Sequence, residues 1–208
     1  MKRILCYGDS NTWGYNPDTA ERYPPDVRWT GVLQRELGNG YLIIEEGLNG
    51  RTTVWDDPIE GSKNGKTYLI PCLASQRPLD LVIIMLGTND LKVRFSVSAY
   101  DIANSAGVLV DVVKGSEAGR HGTAPPVLLL APPPTTMLTD FREMFEGAGA
   151  KSERFGVHYR RVAQERGCHF LDVGGVVDSS ELDGIHLEAE EHHKLGRALA
   201  DAVREILG

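Results

Sequence analysis

Cysteine is scarce in this 208-residue chain, and Cys6, Cys72 and Cys168 are far apart and odd in number. No Cys-x-x-Cys occurs, so neither a disulfide framework nor a zinc knuckle is expected. The three read as core thiols in a reducing compartment. No apolar run approaches the roughly 18 residues that a membrane helix needs. No leader is visible either: the first residues already carry strand and motif character, so a cytoplasmic location is expected. Basic residues are outnumbered, 22 against 29 acidic, giving a net charge of -7. The concentrated basic footprint of a nucleic-acid binder is therefore missing. No Gly-x-Gly-x-x-Gly is present. Gly61 to Thr67 imitates a phosphate loop but is one residue short between its glycines and follows no strand. His121, His158, His169, His192 and His193 form no ligand set, because adjacent residues such as His192 and His193 point to different helix faces. Neither a metal nor a cofactor is expected.

What the chain does contain is alternation. Five apolar runs read as buried parallel strands, at 3–7, 41–45, 79–86, 126–131 and 168–173. The third is apolar almost without a break, as a strand covered on both faces should be. Helical patterns lie between them: one capped by Asp26 and stopped by Gly38, then 66–75, 98–114, 141–166 and 189–207. Strand alternating with helix predicts a doubly wound sheet with right-handed crossovers. The length suits one domain spanning 1–208, and neither repeat nor linker interrupts it. Three connections are longer than such a fold needs: 12–25 with Trp13, Tyr15 and Tyr23, 52–65 with Trp55, and the proline-rich 132–139. All leave the strand edge where pockets form. Their aromatics either line a pocket or pack against one another or another subunit.

Four stretches carry candidate chemistry. Gly8-Asp9-Ser10-Asn11-Thr12 places Ser10 at the C-terminal end of the first strand, where open α/β sheets bind ligands. Ser10 is a candidate nucleophile or an ordinary turn serine. The stretch lacks the closing glycine of a Gly-x-Ser-x-Gly elbow, which argues against the α/β-hydrolase fold. Gly47-Leu48-Asn49-Gly50-Arg51-Thr52 can turn a backbone N–H toward the sheet edge. Gly87-Thr88-Asn89-Asp90 offers the Asn89 amide as a donor, or an Asx-turn that ends the strand. Asp183-Gly184-Ile185-His186 can set a carboxylate beside an imidazole, or cap the last helix next to a surface histidine.

The four stretches, in this order, resemble the sequence blocks of the SGNH hydrolases, also called the GDSL esterases. The likeness runs from Gly8-Asp9-Ser10 to Asp183-x-x-His186. Further stretches are similar to the bacterial arylesterase/acyltransferase branch: Gly8 to Gly14, Asp26 to Leu33, Glu45 to Leu48, Arg51 to Thr53 and Leu79 to Asp90. The resemblance implies a three-layer α/β/α sandwich with a flavodoxin-like sheet. It implies Ser10 as nucleophile, His186 as general base and Asp183 as the residue orienting it. It also implies an oxyanion hole made of the Ser10 and Gly50 backbone N–H groups and the Asn89 amide. Trp13 and Trp55 are the expected substrate-channel residues. Homo-oligomers are implied, with an octamer as one form. Asn11 stands where the family's usual residue is hydrophobic, a departure expected to bear on the shape of the acyl pocket. The expected substrate is a small aryl or short-chain ester, with water, an alcohol or peroxide as acyl acceptor. The competing readings are a carbohydrate acetylesterase, a lysophospholipase, or a flavodoxin-like binding module in which Ser10 has no catalytic role.

Overall fold

The computed structural model describes every residue from Met1 to Gly208. Five strands form one sheet: β1 (Lys2–Gly8), β2 (Tyr41–Gly47), β3 (Leu81–Met85), β4 (Val127–Ala131) and β5 (His169–Asp172). All are parallel, in the order β2-β1-β3-β4-β5. This is the doubly wound arrangement expected from the alternation. Its topological switch lies beside β1, where the first crossover goes one way and the next returns past it.

Side-chain alternation along the strands builds two cores. Ile4, Cys6, Leu81, Ile83, Leu128 and Leu130 point to one face. There they meet Trp29 and Leu33 of α2 (Trp29–Leu37), and Leu195, Leu199 and Val203 of α7 (Ala189–Leu207). Leu5, Tyr7, Val82, Ile84, Val127 and Leu129 point to the other face. That face is covered by α3 (Gly65–Gln76), α4 (Ala99–Lys114) and α6 (Phe155–Arg166). Residues i and i+2 share a face in a strand, so five short strands supply both cores at once. Two short helices, α1 (Ser10–Trp13) and α5 (Ala148–Ser152), complete the set.

Several expected boundaries shift for local reasons. Asp26 does not cap α2: the Val27 and Arg28 N–H groups turn back onto the Pro24 carbonyl, and the helix starts at Trp29 with Arg28 as its cap. Gly38 does end it, at φ 72°. The segment 141–166 is not one helix. Residues 141–147 are turns, Gly147 sits at φ 76°, and only then do α5 and α6 follow. The third strand is trimmed to Leu81–Met85 because Leu79 pairs with Gly119 instead and Gly87 turns the chain at φ 135°. Ser98 caps α4 by accepting the Asp101 N–H at 3.1 Å. No helix is long and apolar enough to cross a membrane.

Candidate active site

Four loops leave the C-terminal sheet edge and converge. β1 ends at Gly8, where any Cβ would collide with the Thr12 hydroxyl and lie 2.9 Å from the Met85 carbonyl. That closeness lets α1 start directly over the strand end. The Asp9 carboxylate caps it through the Asn11 N–H at 3.1 Å, and Gly14 closes it at φ 89°. Ser10 is thereby held in the first turn of a helix at the sheet edge.

The second loop rests against the first. A Cβ at Gly47 would strike the Trp13 backbone nitrogen. Gly50 lies at φ 79°, in the region that favours glycine. Arg51 anchors this turn: its guanidinium donates to the Gly8 carbonyl at 2.8 Å and to the Glu46 carbonyl, and stacks on Tyr7 with 4.2 Å to the ring centre. The third loop begins at Gly87, whose missing side chain leaves room for the Tyr159 hydroxyl to reach the Leu86 carbonyl at 2.7 Å. Asn89 follows. Asp90 then ties this loop to the second one by accepting the Thr53 N–H at 3.0 Å and the Thr53 hydroxyl.

The fourth loop brings the imidazole. Asp183 Oδ1 accepts the N–H groups of Ile185 and His186, each at 2.9 Å, so the carboxylate shapes the turn that carries the histidine. Its Oδ2 lies 2.6 Å from His186 Nδ1. His186 Nε2 lies 2.9 Å from Ser10 Oγ, across 176 residues of sequence. A carboxylate at Nδ1 favours the tautomer with its proton there, which leaves Nε2 free to accept from the Ser10 hydroxyl. Burial alone would raise the Asp183 carboxyl, but the hydrogen bonds and charge of His186 outweigh it and hold it below the usual carboxylate value. The Tyr15 ring packs on the imidazole with centres 4.1 Å apart.

Ser10, Gly50, Asn89 and His186 line one cavity of about 160 Å³. Neither the Ser10 N–H, the Gly50 N–H nor the Asn89 side-chain amide has an acceptor elsewhere in the chain. Three uncommitted donors around a hydroxyl next to an imidazole can hold negative charge on a substrate oxygen. Its lining combines an apolar set, Tyr15, Phe141, Met144, Phe145 and Ile185, with a polar one, Asn49, Glu60 and Lys92. Lys92 is buried and pairs with Glu60, and Arg94 bridges Glu60 and Asp57 at 2.6 Å each.

These residues match a family. Residues 6–194 fit the GDSL-like lipase/acylhydrolase family. The chain belongs to the GDSL-like hydrolases. Three solved structures show how closely this hydrolase is matched. A carbohydrate acetylesterase from Sinorhizobium meliloti is 45% identical over 99% of this chain and 100% of its own, with a TM-score of 0.96. The aryl esterase of M. smegmatis is 45% identical over 100% of both chains, also at 0.96. A putative arylesterase from Agrobacterium tumefaciens is 39% identical over 100% of both, at 0.91. No match was found among curated proteins. The GDSL-like hydrolase is thus a serine ester hydrolase with the three-layer fold expected of it.

Trp13 and Trp55, the expected channel residues, do not line this cavity. The Trp13 backbone is pressed onto Gly47, and its ring lies under the Arg22 guanidinium, 5.2 Å from centre to carbon. Trp55 is fixed by its carbonyl, which accepts the Thr52 hydroxyl at 2.6 Å. The aromatic lining comes instead from Tyr15 of the same first loop and from Phe141 and Phe145. The last two belong to the segment that reads as helix by its spacing. Asn11 is also absent from the lining: its side chain reaches the histidine loop, where it donates to the Ile185 carbonyl. Of the histidines outside the site, His192 is buried in the α2–α7 layer, where its Nδ1 accepts the Trp29 N–H at 3.3 Å. Burial pushes it down to about 3. No cluster of three or more His, Cys, Asp or Glu is arranged to hold a metal ion.

Proposed function

We propose that this hydrolase cleaves small acetyl-type esters through an acyl-enzyme on Ser10. The observation carrying this is the Ser10–His186–Asp183 chain of contacts at 2.9 and 2.6 Å beside three uncommitted donors. His186 takes the Ser10 proton as Oγ bonds to the ester carbonyl carbon. The carbonyl oxygen gains negative charge and is held by the Ser10 and Gly50 N–H groups and the Asn89 amide. As the tetrahedral intermediate collapses, the C–O bond to the alcohol breaks and His186 returns its proton to the leaving oxygen. Water, an alcohol or peroxide then attacks the acyl group by the same steps in reverse order. The apolar wall around the site supports acyl transfer to alcohols beside hydrolysis. A cavity of about 160 Å³ supports a short acyl chain and disfavours a lysolipid.

A second reading concerns the alcohol half. Asn49, Glu60 and Lys92 give the cavity a polar wall that suits an acetylated sugar, and a similar S. meliloti protein is described as a carbohydrate acetylesterase. Self-association is supported by the exposed Met137 and Leu182 on two loops that meet beside the site through Thr136 and Gly184, and sedimentation velocity tests it. The deciding experiment is hydrolysis of an aryl acetate, an acetylated sugar and a lysolipid by wild type and Ser10→Ala, with mapping of a fluorophosphonate adduct. Turnover lost in Ser10→Ala and an adduct on Ser10 are expected. Turnover kept in that variant removes the assignment.

A further inference from the structure

Asn11 follows Ser10 in α1, yet its side chain serves the other end of the chain. It is 2% exposed. Its Nδ2–H donates to the Ile185 carbonyl at 3.2 Å, and its Oδ1 accepts the Leu187 N–H at 3.0 Å. Ile185 and Leu187 flank His186. The Asn11 side-chain amide thus pairs with the main chain on both sides of His186, one bond to the residue before it and one to the residue after. The His186 carbonyl itself accepts the Ser180 N–H at 2.8 Å. The histidine segment is held by both residues, and one of them is next to Ser10.

This closes a ring. Ser10 and Asn11 are adjacent in one helical turn, and Asn11 is bonded to both neighbours of His186. His186 Nε2 in turn lies 2.9 Å from Ser10 Oγ. The remaining holds on the imidazole come from Asp183, at its ring and backbone, and from packing by Tyr15 and, edge-on, Phe141. Asp183 fixes the tilt of the ring within its own loop. Among the hydrogen bonds of the site, those of Asn11 tie that loop to the residue beside the nucleophile.

We propose that Asn11 is a positioning residue that sets the Ser10–His186 distance by pairing with the backbone on either side of His186. The inference rests on the reading of Ser10 and His186 as nucleophile and base. A hydrophobic residue at this position would fill the space but offer neither bond, so the histidine loop would have to be held by other contacts.

The test compares wild type, Asn11→Leu and Asn11→Asp on an aryl acetate, with active sites counted by fluorophosphonate. In Asn11→Leu, kcat per titrated site should fall by up to about 100-fold, the scale of a misplaced reacting pair, with KM little changed. Asn11→Asp keeps the acceptor for Leu187 but donates to Ile185 only when its carboxyl is protonated. Its activity relative to wild type should therefore rise as the pH is lowered. A new negative charge that merely raised the basicity of His186 would make that ratio fall. The proposal is overturned by Asn11→Leu turning over within twofold of wild type per site, or by a loss explained wholly by fewer titratable sites. Should Asn11→Leu not fold, a ratio for Asn11→Asp that is flat or falls on acidification overturns it equally. Failure of wild type itself to label on Ser10 counts against the underlying assignment, whatever the variants do.

Discussion

The Asp183 carboxylate holds His186 twice, with Oδ1 on its backbone N–H at 2.9 Å and Oδ2 against its ring nitrogen at 2.6 Å. One side chain thus folds the turn and sets the tautomer. Asp183→Asn separates the two tasks. The asparagine oxygen can still accept the Ile185 and His186 N–H groups, so the turn survives. Its amide nitrogen would face Nδ1 as a donor and favour the tautomer with the proton on Nε2. The expected result is a folded protein with kcat lower by roughly 1,000- to 10,000-fold. Asp183→Ala should lose the turn as well and melt at a lower temperature than Asp183→Asn. Equal melting temperatures would show that Oδ1 contributes little to the loop.

Part of this is legible in the amino-acid sequence alone. Strand ends announce themselves when an apolar run meets Gly-Asp-Ser, Gly-Thr-Asn or a glycine-rich turn, because only small or polar residues suit a sharp exit from a sheet. Ser10, Gly50 and Asn89 stand at such exits, Asp183 and His186 stand in the turn before α7, and the structure brings them to one edge. The ties between the loops were not legible. Asn11 reaches Ile185 over 174 residues, Asp90 reaches Thr53 over 37, and Arg51 reaches Gly8 over 43. No local pattern encodes a side chain's distant partner. The aromatics misled for a related reason. Trp13 looks like a pocket residue until Gly47 is seen to admit its backbone. Phe141, Met144 and Phe145 repeat at helical spacing although the chain there is turns.

Asn89 separates transition-state stabilisation from binding. Its amide has no partner in the chain, so Asn89→Ala removes a donor without stranding another group. Oxyanion donors act when charge develops on the carbonyl oxygen, and losing one costs about 100- to 1,000-fold in kcat. KM on an aryl acetate should move little. A variant with KM raised and kcat intact would make Asn89 a ground-state contact instead.

Asp90 predicts a pH effect on stability. Burial raises its carboxyl from 3.8 to about 7 despite the Thr53 hydrogen bonds, and the nearby Asp9 adds to the rise. Asp9 is itself raised to about 6, chiefly by burial. A raised acid binds its proton more tightly in the folded state than in the unfolded one. Its stabilising contribution is complete below about pH 4 and is lost as the pH climbs through the folded value. His192 opposes this, because a histidine held down to about 3 favours folding more as the pH rises through the unfolded value near 6.5. The wild-type curve mixes these trends, and Asp90→Asn isolates one of them. Relative to wild type, the variant should gain stability between pH 4 and 7, on the order of a few kcal/mol, and then level off. Melting temperatures of both proteins across pH 4 to 8 check this. A constant difference would mean that Asp90 ionises alike in the folded and unfolded chains.

Met144 tests which wall of the cavity takes the acyl chain. It lines the site beside Phe141 and Phe145 and is 38% exposed, so shortening it opens space without hollowing the core. If the acyl group lies along this wall, Met144→Ala should accept longer chains. Each methylene newly buried is worth about 0.8 kcal/mol, or roughly fourfold in kcat/KM. Across aryl acetate, butyrate and hexanoate, wild type should fall steeply with length and the variant less so. An unchanged slope would move the acyl group away from this wall. It would leave Met144 to the alcohol half, where the same substitution should alter the ratio between aryl acetate and an acetylated sugar.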